Sequence, residues 1–156
     1  NKLAEAEILD LAAYKFPLFD ERLKNQENPS PETVAFAEKI RSSDGVIIIS
    51  PEYNGGFPAS LKNIIDLLTD EWYHKPVAIV TVSTGSFGGV QSIVSLQYLL
   101  WKLKALVATA VFPVPSVSDR FDESGVPADK QSEDKRAKRF VDELLWLVEA
   151  KRRMEK

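Results

Sequence analysis

The stretch GVIIISPEYNGGFPASLKNIIDLL, residues 45–68, runs from an apolar segment through an unusual loop into a helical pattern. Its first part, GVIIIS, is a β-branched run of the kind that fills a strand buried on both faces. Its last part places Leu61, Ile64, Ile65 and Leu68 on one face of an amphipathic helix. The loop between them is dense in proline, glycine and asparagine, whereas a plain connection needs about 2–6 residues and no special chemistry. The stretch therefore predicts a strand–loop–helix unit whose loop has a further task.

The same alternation of strand and helix continues along the chain. Residues 76–83, PVAIVTVS, and residues 105–112, ALVATAVF, predict two more apolar strands, and residues 4–11, AEAEILDL, alternate enough to predict another. Helices are predicted at about 31–42, after the second loop, and at about 131–151. The middle helix has an expected inner stripe of Val90, Ile93, Leu96, Leu100 and Leu103. Charge-free strands that alternate with amphipathic helices indicate a doubly wound parallel sheet covered on both faces.

Length and composition narrow the possible functions. A chain of 156 residues predicts one domain over residues 1–156, because a barrel of eight βα units needs roughly 250 residues. The net charge of −3 argues against a nucleic-acid binder, which normally shows a basic face. The absence of cysteine excludes disulfides, thiolate metal sites and cysteine nucleophiles, and it fits a cytoplasmic protein. No apolar run approaches the ~20 residues that span a bilayer, so no membrane partner is expected.

Two loops are expected at the ligand-binding edge of the sheet, because ligands of open α/β sheets bind outside the carboxyl ends of the strands. We name residues 50–58 the first site loop and residues 83–89 the second site loop. In the second loop, Gly85, Gly88 and Gly89 allow a close approach to the backbone, and neighbouring serine and threonine residues supply hydroxyls. Neither loop matches a dinucleotide or P-loop fingerprint. Taken singly, the second loop could also be an ordinary tight turn, and the first loop a proline-stiffened turn in which Tyr53 merely packs.

Together, these motifs resemble a known family. SPEYNGGFPASLKNIIDLL, residues 50–68, resembles the P-E-Y-N-G/S-x-P-x-x-L-K-N-x-I-D signature of the NADPH-dependent FMN reductase family, within the flavodoxin-like superfamily. STGSFGGVQSIVSLQYLLWKL is similar to that family's second loop, S-x-G-x-x-G-G, and its helix. VFPVPSVSDRFDESG is similar to the segment after the fifth strand. The resemblance covers most of residues 44–127.

The resemblance implies a flavodoxin-like, three-layer α/β/α domain whose five-stranded parallel sheet has the order 2-1-3-4-5 and binds FMN. The residues that it places along the flavin ring or beside it are Pro51, Glu52, Tyr53, Asn54, Gly55, Ser83, Gly85 and Gly88. No side chain need act as a catalytic acid or base, and no metal is expected, because the cofactor carries the chemistry. Asn63 is expected to brace the first site loop, and His74 is read as a surface residue at the opposite edge.

The sequence departs from the family pattern in two places. The family's phosphate loop, a G-S-x-R-x-x-S-x-N run after the first strand, is absent from the sequence, and Asn1-Lys2-Leu3 is at most the tail of it. We therefore expect the first strand and its phosphate loop to lie in a preceding segment. Lys104 stands where relatives commonly carry a glycine that closes the helix, which leaves the local turn in question.

The function that the resemblance implies is an oxidoreductase. Bound FMN would take a hydride from NADPH or NADH and pass electrons to a quinone, flavin, azo compound or metal oxyanion. The alternatives are a flavodoxin-like electron carrier, a flavin-binding regulatory protein, and an interaction domain that has lost its flavin. Carriers are strongly acidic, so the mild charge of −3 favours the enzyme.

Large aromatic residues near the site bear on the oligomeric state. Trp72, Tyr73, Tyr98 and Trp101 could be partly buried in the core or could lie in a subunit interface. Relatives are commonly dimers or tetramers, so the resemblance implies a homodimer or homotetramer in which Phe57 and Tyr98 meet a neighbouring subunit.

Overall fold

The computed structural model describes residues 3–155, in which four parallel strand segments form one sheet. The segments are β1 (Val46–Pro51), β2 (Pro76–Val82), β3 (Leu106–Val107) and β4 (Phe112–Val114). β2 lies in the centre, with β1 on one side and both short segments on the other. β3 pairs with the start of β2 and β4 with its end, so that they form one interrupted line. The parallel α/β sheet expected from the sequence is therefore confirmed.

Five helices accompany the sheet within these residues. They are α1 (Pro31–Ser42), α2 (Ala59–Leu67), α3 (Val90–Lys102), α4 (Val117–Arg120) and α5 (Lys130–Met154). The first three pack on one face of the sheet, where Ile48, Val77 and Ile79 meet buried residues of all three helices. The long α5 covers the other face, where Phe140, Leu144 and Val148 pack on Ala78 and Ala108. No helix among residues 3–155 is long and apolar enough to cross a membrane.

The outer edge of β1 is open. Within residues 3–155, β1 pairs with β2 alone. Ile47 and Ile49 stand beside Ala78 and Val80 on the face that α5 covers, yet they are 43% and 68% exposed. The five-strand order 2-1-3-4-5 is thus not observed, because the described residues contain four strand segments, two of which share one line.

The prediction of a strand at residues 4–11 is wrong. This segment has no regular structure before a short 3-10 turn at Leu11–Ala13, and Ile8 is almost fully exposed. The Asp10 carboxylate caps that turn by accepting a hydrogen bond from the Ala12 N–H at 2.9 Å. Alternation of apolar residues describes one segment alone, whereas a strand also needs a sheet edge to pair with.

Two further predictions need correction. The single strand expected at residues 105–112 is interrupted, and Thr109 inside the gap donates a hydrogen bond to the Glu143 carboxylate of α5. Small alanines also offer little side-chain surface for packing on a sheet. In α3, Ile93, Leu96 and Leu100 are buried as expected. Val90 is exposed because it is the first helical residue and the helix enters from Gly89.

Candidate functional site

The first site loop closes on itself directly after β1. Tyr53 and Gly56 exchange two backbone hydrogen bonds, at 2.7 and 3.0 Å. The two residues between them, Asn54 and Gly55, have φ values of 52° and 79°. Positive φ at both central positions is the requirement of a type I′ turn, and asparagine followed by glycine meets it at the lowest steric cost. The loop therefore holds the exposed Tyr53 ring on a fixed turn.

The second site loop, which follows β2, is held by hydroxyl groups. The Ser83 hydroxyl accepts a hydrogen bond from the Gly85 N–H at 3.0 Å. The buried Thr81 hydroxyl donates to the Gly88 carbonyl at 2.6 Å. Thr81 was not singled out in the sequence, although a hydroxyl inside an otherwise apolar strand is a visible signal. These bonds give the loop a defined shape at the carboxyl end of β2.

A third segment, residues 113–127, forms the far wall of the second site loop. The Ser83 N–H donates to the Val114 carbonyl at 3.0 Å, and the Ser116 N–H donates to the Gly85 carbonyl at 3.0 Å. A Cβ atom on Gly88 would lie 3.0 Å from Pro113 Cβ and 3.1 Å from the backbone nitrogen of Pro115. Gly88 is therefore required by the packing of this wall, whatever ligand the loop binds.

Charged side chains also hold the segment of residues 113–127 in place. Glu133, almost fully buried near the start of α5, binds Arg120 of α4 at 2.9 Å and Arg136 at 2.6 Å. Farther out, the Asp122 carboxylate accepts hydrogen bonds from the N–H groups of Val126 and Ser124. The Val126 N–H is the largest cause that lowers the pKa of Asp122. The F-D-x-x-G run is thus a closed turn rather than an open tail.

Glu52 joins the first site loop to α3, the helix that follows directly after the second site loop. Its Oε2 atom accepts hydrogen bonds from the N–H groups of Gln91 at 3.0 Å and Ser92 at 3.3 Å, in the first turn of α3. The carboxylate therefore has protein donors, and its expected contact with a flavin stays a prediction. Gln91 was missed in the sequence because it carries no motif signal of its own.

The structure brings the eight expected cofactor residues to one end of the sheet. The positions with exposed surface are Pro51, Tyr53, Asn54 and Gly85, those at intermediate exposure are Glu52, Gly55 and Ser83, and Gly88 is buried. Two aromatic side chains are exposed in these loops. Tyr53 in the first site loop is 64% exposed, and Phe87 in the second site loop is 81% exposed. An apolar residue in a loop of glycines and hydroxyls was the available signal for Phe87. The two loops present turns, hydroxyls and two open rings.

Asn63 has a different partner from the one expected. Its side-chain oxygen accepts from the Phe19 N–H at 2.7 Å, and its side-chain nitrogen donates to the Pro17 carbonyl at 2.8 Å. It therefore fastens residues 17–19 to α2 and makes no hydrogen bond to the first site loop within the described residues. The sequence could not reveal this contact, because the partners lie 44 and 46 positions away.

The opposite end of the sheet carries basic residues, one of which is buried. His74 is exposed there as expected, and its N–H donates to the Lys104 carbonyl at 3.0 Å. Lys104 has a φ of 61°, which explains why a glycine would also suit this position. The buried Lys75 ammonium donates to the carbonyls of Arg41 and Ser43 at the end of α1. Burial, followed by repulsion from Lys151, lowers the pKa of Lys75.

The sequence matches the model of one protein family over most of its length. The model of the NADPH-dependent FMN reductase family matches residues 1–119. The chain belongs to this family. Both site loops, the third segment up to Asp119 and the sheet all lie within the matched part.

Individual reductases of known sequence are similar to this chain. A quinone reductase of Escherichia coli (strain K12) is 40% identical over 95 residues, which cover 58% of this chain and 50% of the relative. An NAD(P)H-dependent FMN reductase of Saccharomyces cerevisiae is 34% identical over 113 residues, which cover 67% of this chain and 58% of the relative. This chain thus spans about half the length of such relatives.

A solved structure confirms the fold. FerB, a flavoenzyme NAD(P)H:(acceptor) oxidoreductase from Paracoccus denitrificans, superimposes with a TM-score of 0.77. The superposition covers 92% of this chain and 80% of that protein, at 21% sequence identity. The arrangement of sheet and helices in this member of the FMN reductase family is therefore that of a known flavoenzyme fold.

Proposed function

We propose that this chain is the flavin-binding part of an FMN-dependent NAD(P)H oxidoreductase. It would pass electrons from NADPH or NADH to a quinone, flavin, azo compound or metal oxyanion. The observation that carries the proposal is the pair of interlocked loops at the carboxyl ends of β1 and β2, in a chain of the NADPH-dependent FMN reductase family. Bound FMN would supply the hydride acceptor and the electron donor.

The residues of the two loops fit a flat polar heterocycle. Within residues 3–155, the backbone N–H groups of Asn54 and Gly55 have no hydrogen-bond acceptor, so both can donate to a ligand. Tyr53 in the first site loop and Phe87 in the second offer exposed aromatic surface, and Gly85 is exposed. Backbone donors and aromatic faces hold a cofactor, orient its reactive edge and keep water from one side of it. The rigidity of the I′ turn means that these donors need little rearrangement on binding.

We propose that the sheet is part of a flavodoxin-like domain. In a flavodoxin-like domain with strand order 2-1-3-4-5, β1 and β2 would be the third and fourth strands, and the line of β3 and β4 the fifth. The open edge of β1, with Ile47 and Ile49 exposed beside it, supports this reading because two further strands and a helix would cover them. The phosphate of FMN would be held by a loop that follows the first of those strands. Residues 1–156 would belong to this one domain.

A homodimer or homotetramer is also proposed. Val94, Tyr98 and Trp101 expose an apolar stripe on the outer side of α3, and the Tyr98 and Trp101 rings lie 5.9 Å apart. Contiguous exposed apolar surface of this kind marks an interaction site. Trp72, in contrast, is 3% exposed, and its indole N–H donates to the Ile65 carbonyl, so it belongs to the core. We also propose a cytoplasmic location, which fits the cysteine-free sequence.

The proposal is tested by titrating FMN with the full-length protein and following flavin fluorescence. We expect saturable quenching with a dissociation constant on the order of 1 μM or tighter. The variant Asn54→Pro removes one of the two free N–H donors and the left-handed φ, so it should abolish quenching. The matched control is Glu27→Ala, an exposed position far from the loops along the chain. FMN that stays fully fluorescent with the unmodified protein would refute flavin binding.

Turnover separates an enzyme from an electron carrier. We expect NADPH or NADH oxidation to accelerate when a quinone is added to the FMN-loaded protein. Tight FMN binding without such turnover would favour the carrier or regulatory alternative.

A further inference from the structure

The first turn of α3 lacks the cap that a helix normally has. Gly89 occupies the N-cap position with a φ of 77°, and no side chain of its own can accept from the free N–H groups of the first turn. A serine, threonine, aspartate or asparagine at this position would accept from the second or third helical N–H. In α3 these are the N–H groups of Gln91 and Ser92.

Glu52 replaces the missing cap from another loop. Its Oε2 atom accepts from those two N–H groups, although Glu52 lies 39 positions before Gln91. The Ser92 N–H also donates to the Gly89 carbonyl at 3.2 Å, so the Gln91 N–H is the one that depends on Glu52. The negative charge also suits the positive end of the helix dipole. The Ser92 hydroxyl does not cap the helix, because it makes no hydrogen bond within the described residues. The capping bond of α3 therefore depends on the first site loop.

A second contact runs in the opposite direction, from α3 to the first site loop. A Cβ atom on Gly55 would lie 2.6 Å from the Gln91 side-chain oxygen, so this side chain rests directly on the Gly55 backbone. Gly89 leaves room for the approach, because a Cβ there would lie 3.5 Å from Glu52 Cβ and 3.0 Å from Thr81 Cβ. The first site loop thus places one side chain on the backbone of α3, and α3 places one on the backbone of the first site loop.

We propose that Glu52 and Gln91 form a two-way clasp that fixes the two site loops relative to each other. In this arrangement Glu52 is a positioning residue, which acts on the ligand through the loops that it holds. Loss of the clasp frees the first turn of α3 and the turn at Asn54–Gly55 at the same time. The consequence for FMN affinity rests on the proposed function, whereas the clasp itself does not.

Hydrogen exchange in the FMN-free protein tests the clasp directly. In Glu52→Ala, the Gln91 amide should exchange about fivefold faster or more, as expected for a lost N-cap. The Ser92 amide should lose less protection, because it keeps its bond to the Gly89 carbonyl. Glu52→Gln should restore most of the protection, because its amide oxygen can accept from the same N–H groups. Glu27→Ala is the matched control and should leave exchange unchanged. Equal protection of both amides in Glu52→Ala and the unmodified protein would overturn the clasp.

Gln91→Ala tests the reverse contact without touching Glu52. The Gly56 N–H, which donates to the Tyr53 carbonyl, should lose protection in this variant. This variant also decides the question if Glu52→Ala does not fold. Unchanged exchange at Gly56 would overturn the two-way arrangement.

FMN titration of the same variants separates positioning from direct contact. The dissociation constant should rise about fivefold in Glu52→Ala and return close to its original value in Glu52→Gln. Restored amide protection with binding still as weak as in Glu52→Ala would overturn the positioning role, because the charge itself would then contact the flavin. If the unmodified protein binds no FMN, the proposed function fails, and the exchange experiment alone decides the clasp.

Discussion

The two long helices on opposite faces of the sheet have similar inner sides and very different outer sides. Both α3 and α5 bury a stripe of aliphatic or aromatic residues against the strands. The outer side of α5 carries ion pairs one turn apart, namely Lys130–Asp134, Lys138–Asp142, Glu149–Arg153 and Lys151–Glu155. The outer side of α3 carries Val90, Val94, Tyr98 and Trp101.

Burial within the chain explains the inner side of α3 and does not explain its outer side. Ion pairs one turn apart are the ordinary way to keep a solvent-facing helix stable. An aromatic stripe on a solvent-facing helix has no such role. Its apolar surface contributes favourable free energy only when a partner buries it. The outer side of α3 is therefore where the proposed contact with a second copy of the chain would lie.

The largest effect on stability is expected from the inner, buried sides of the two helices. Leu96→Ala removes a fully buried side chain between α3 and the sheet and should lower the free energy of unfolding by about 2–5 kcal/mol. Leu144→Ala on α5 is the matched variant and should cost less, because Leu144 keeps some exposure. Urea unfolding of both variants measures the costs. A larger cost for Leu144 would contradict the greater burial of the α3 stripe.

An intermediate effect is expected from charging the outer side of α3. Trp101→Lys should raise the dissociation constant of the dimer roughly 30-fold or more, because tryptophans dominate the energy of such interfaces. Light scattering over a range of concentrations measures the change in mass. Trp146→Lys on α5 is the control, since Trp146 is 68% exposed and Trp101 66%. If both substitutions have the same effect on mass, α3 is not the interface.

The smallest effect is expected from the outer side of α5. Lys138→Ala breaks one exposed ion pair with Asp142 and should change the free energy of unfolding by at most about 0.5 kcal/mol. Chemical unfolding at low and high salt checks this value. A loss above 1 kcal/mol would mean that the charged side of α5 is also in contact with a partner.

The elements with a strong local signal could be predicted from the sequence. GVIII and PVAIVTV became β1 and β2, because uncharged runs rich in β-branched residues favour strands. Ser30 followed by Pro31 marked the start of α1, since proline at the first helical position lacks only an N–H that would be unpaired anyway. Asparagine and glycine in the first site loop were a further local signal, because both tolerate the positive φ that Asn54 and Gly55 adopt.

The contacts between distant residues could not be predicted. Nothing near Glu52 reveals that its carboxylate caps a helix 39 positions later, and nothing near Asn63 reveals that it holds residues 17–19. The alternation in residues 4–11 was misleading because strand formation depends on a neighbour as well as on a pattern. Trp72 and Trp101 look alike in sequence, and the path of the chain alone makes one core and the other surface.

The open edge of β1 also has a consequence for the handling of the chain. A strand with unpaired backbone groups and an apolar outer face is a template for another strand, and VIII is uncharged and strongly β-forming. Asp44 and Pro51, at its two ends, are the residues that hinder such pairing. Whenever this edge is uncovered, during synthesis or partial unfolding, we expect β1 to be the place where aggregation begins.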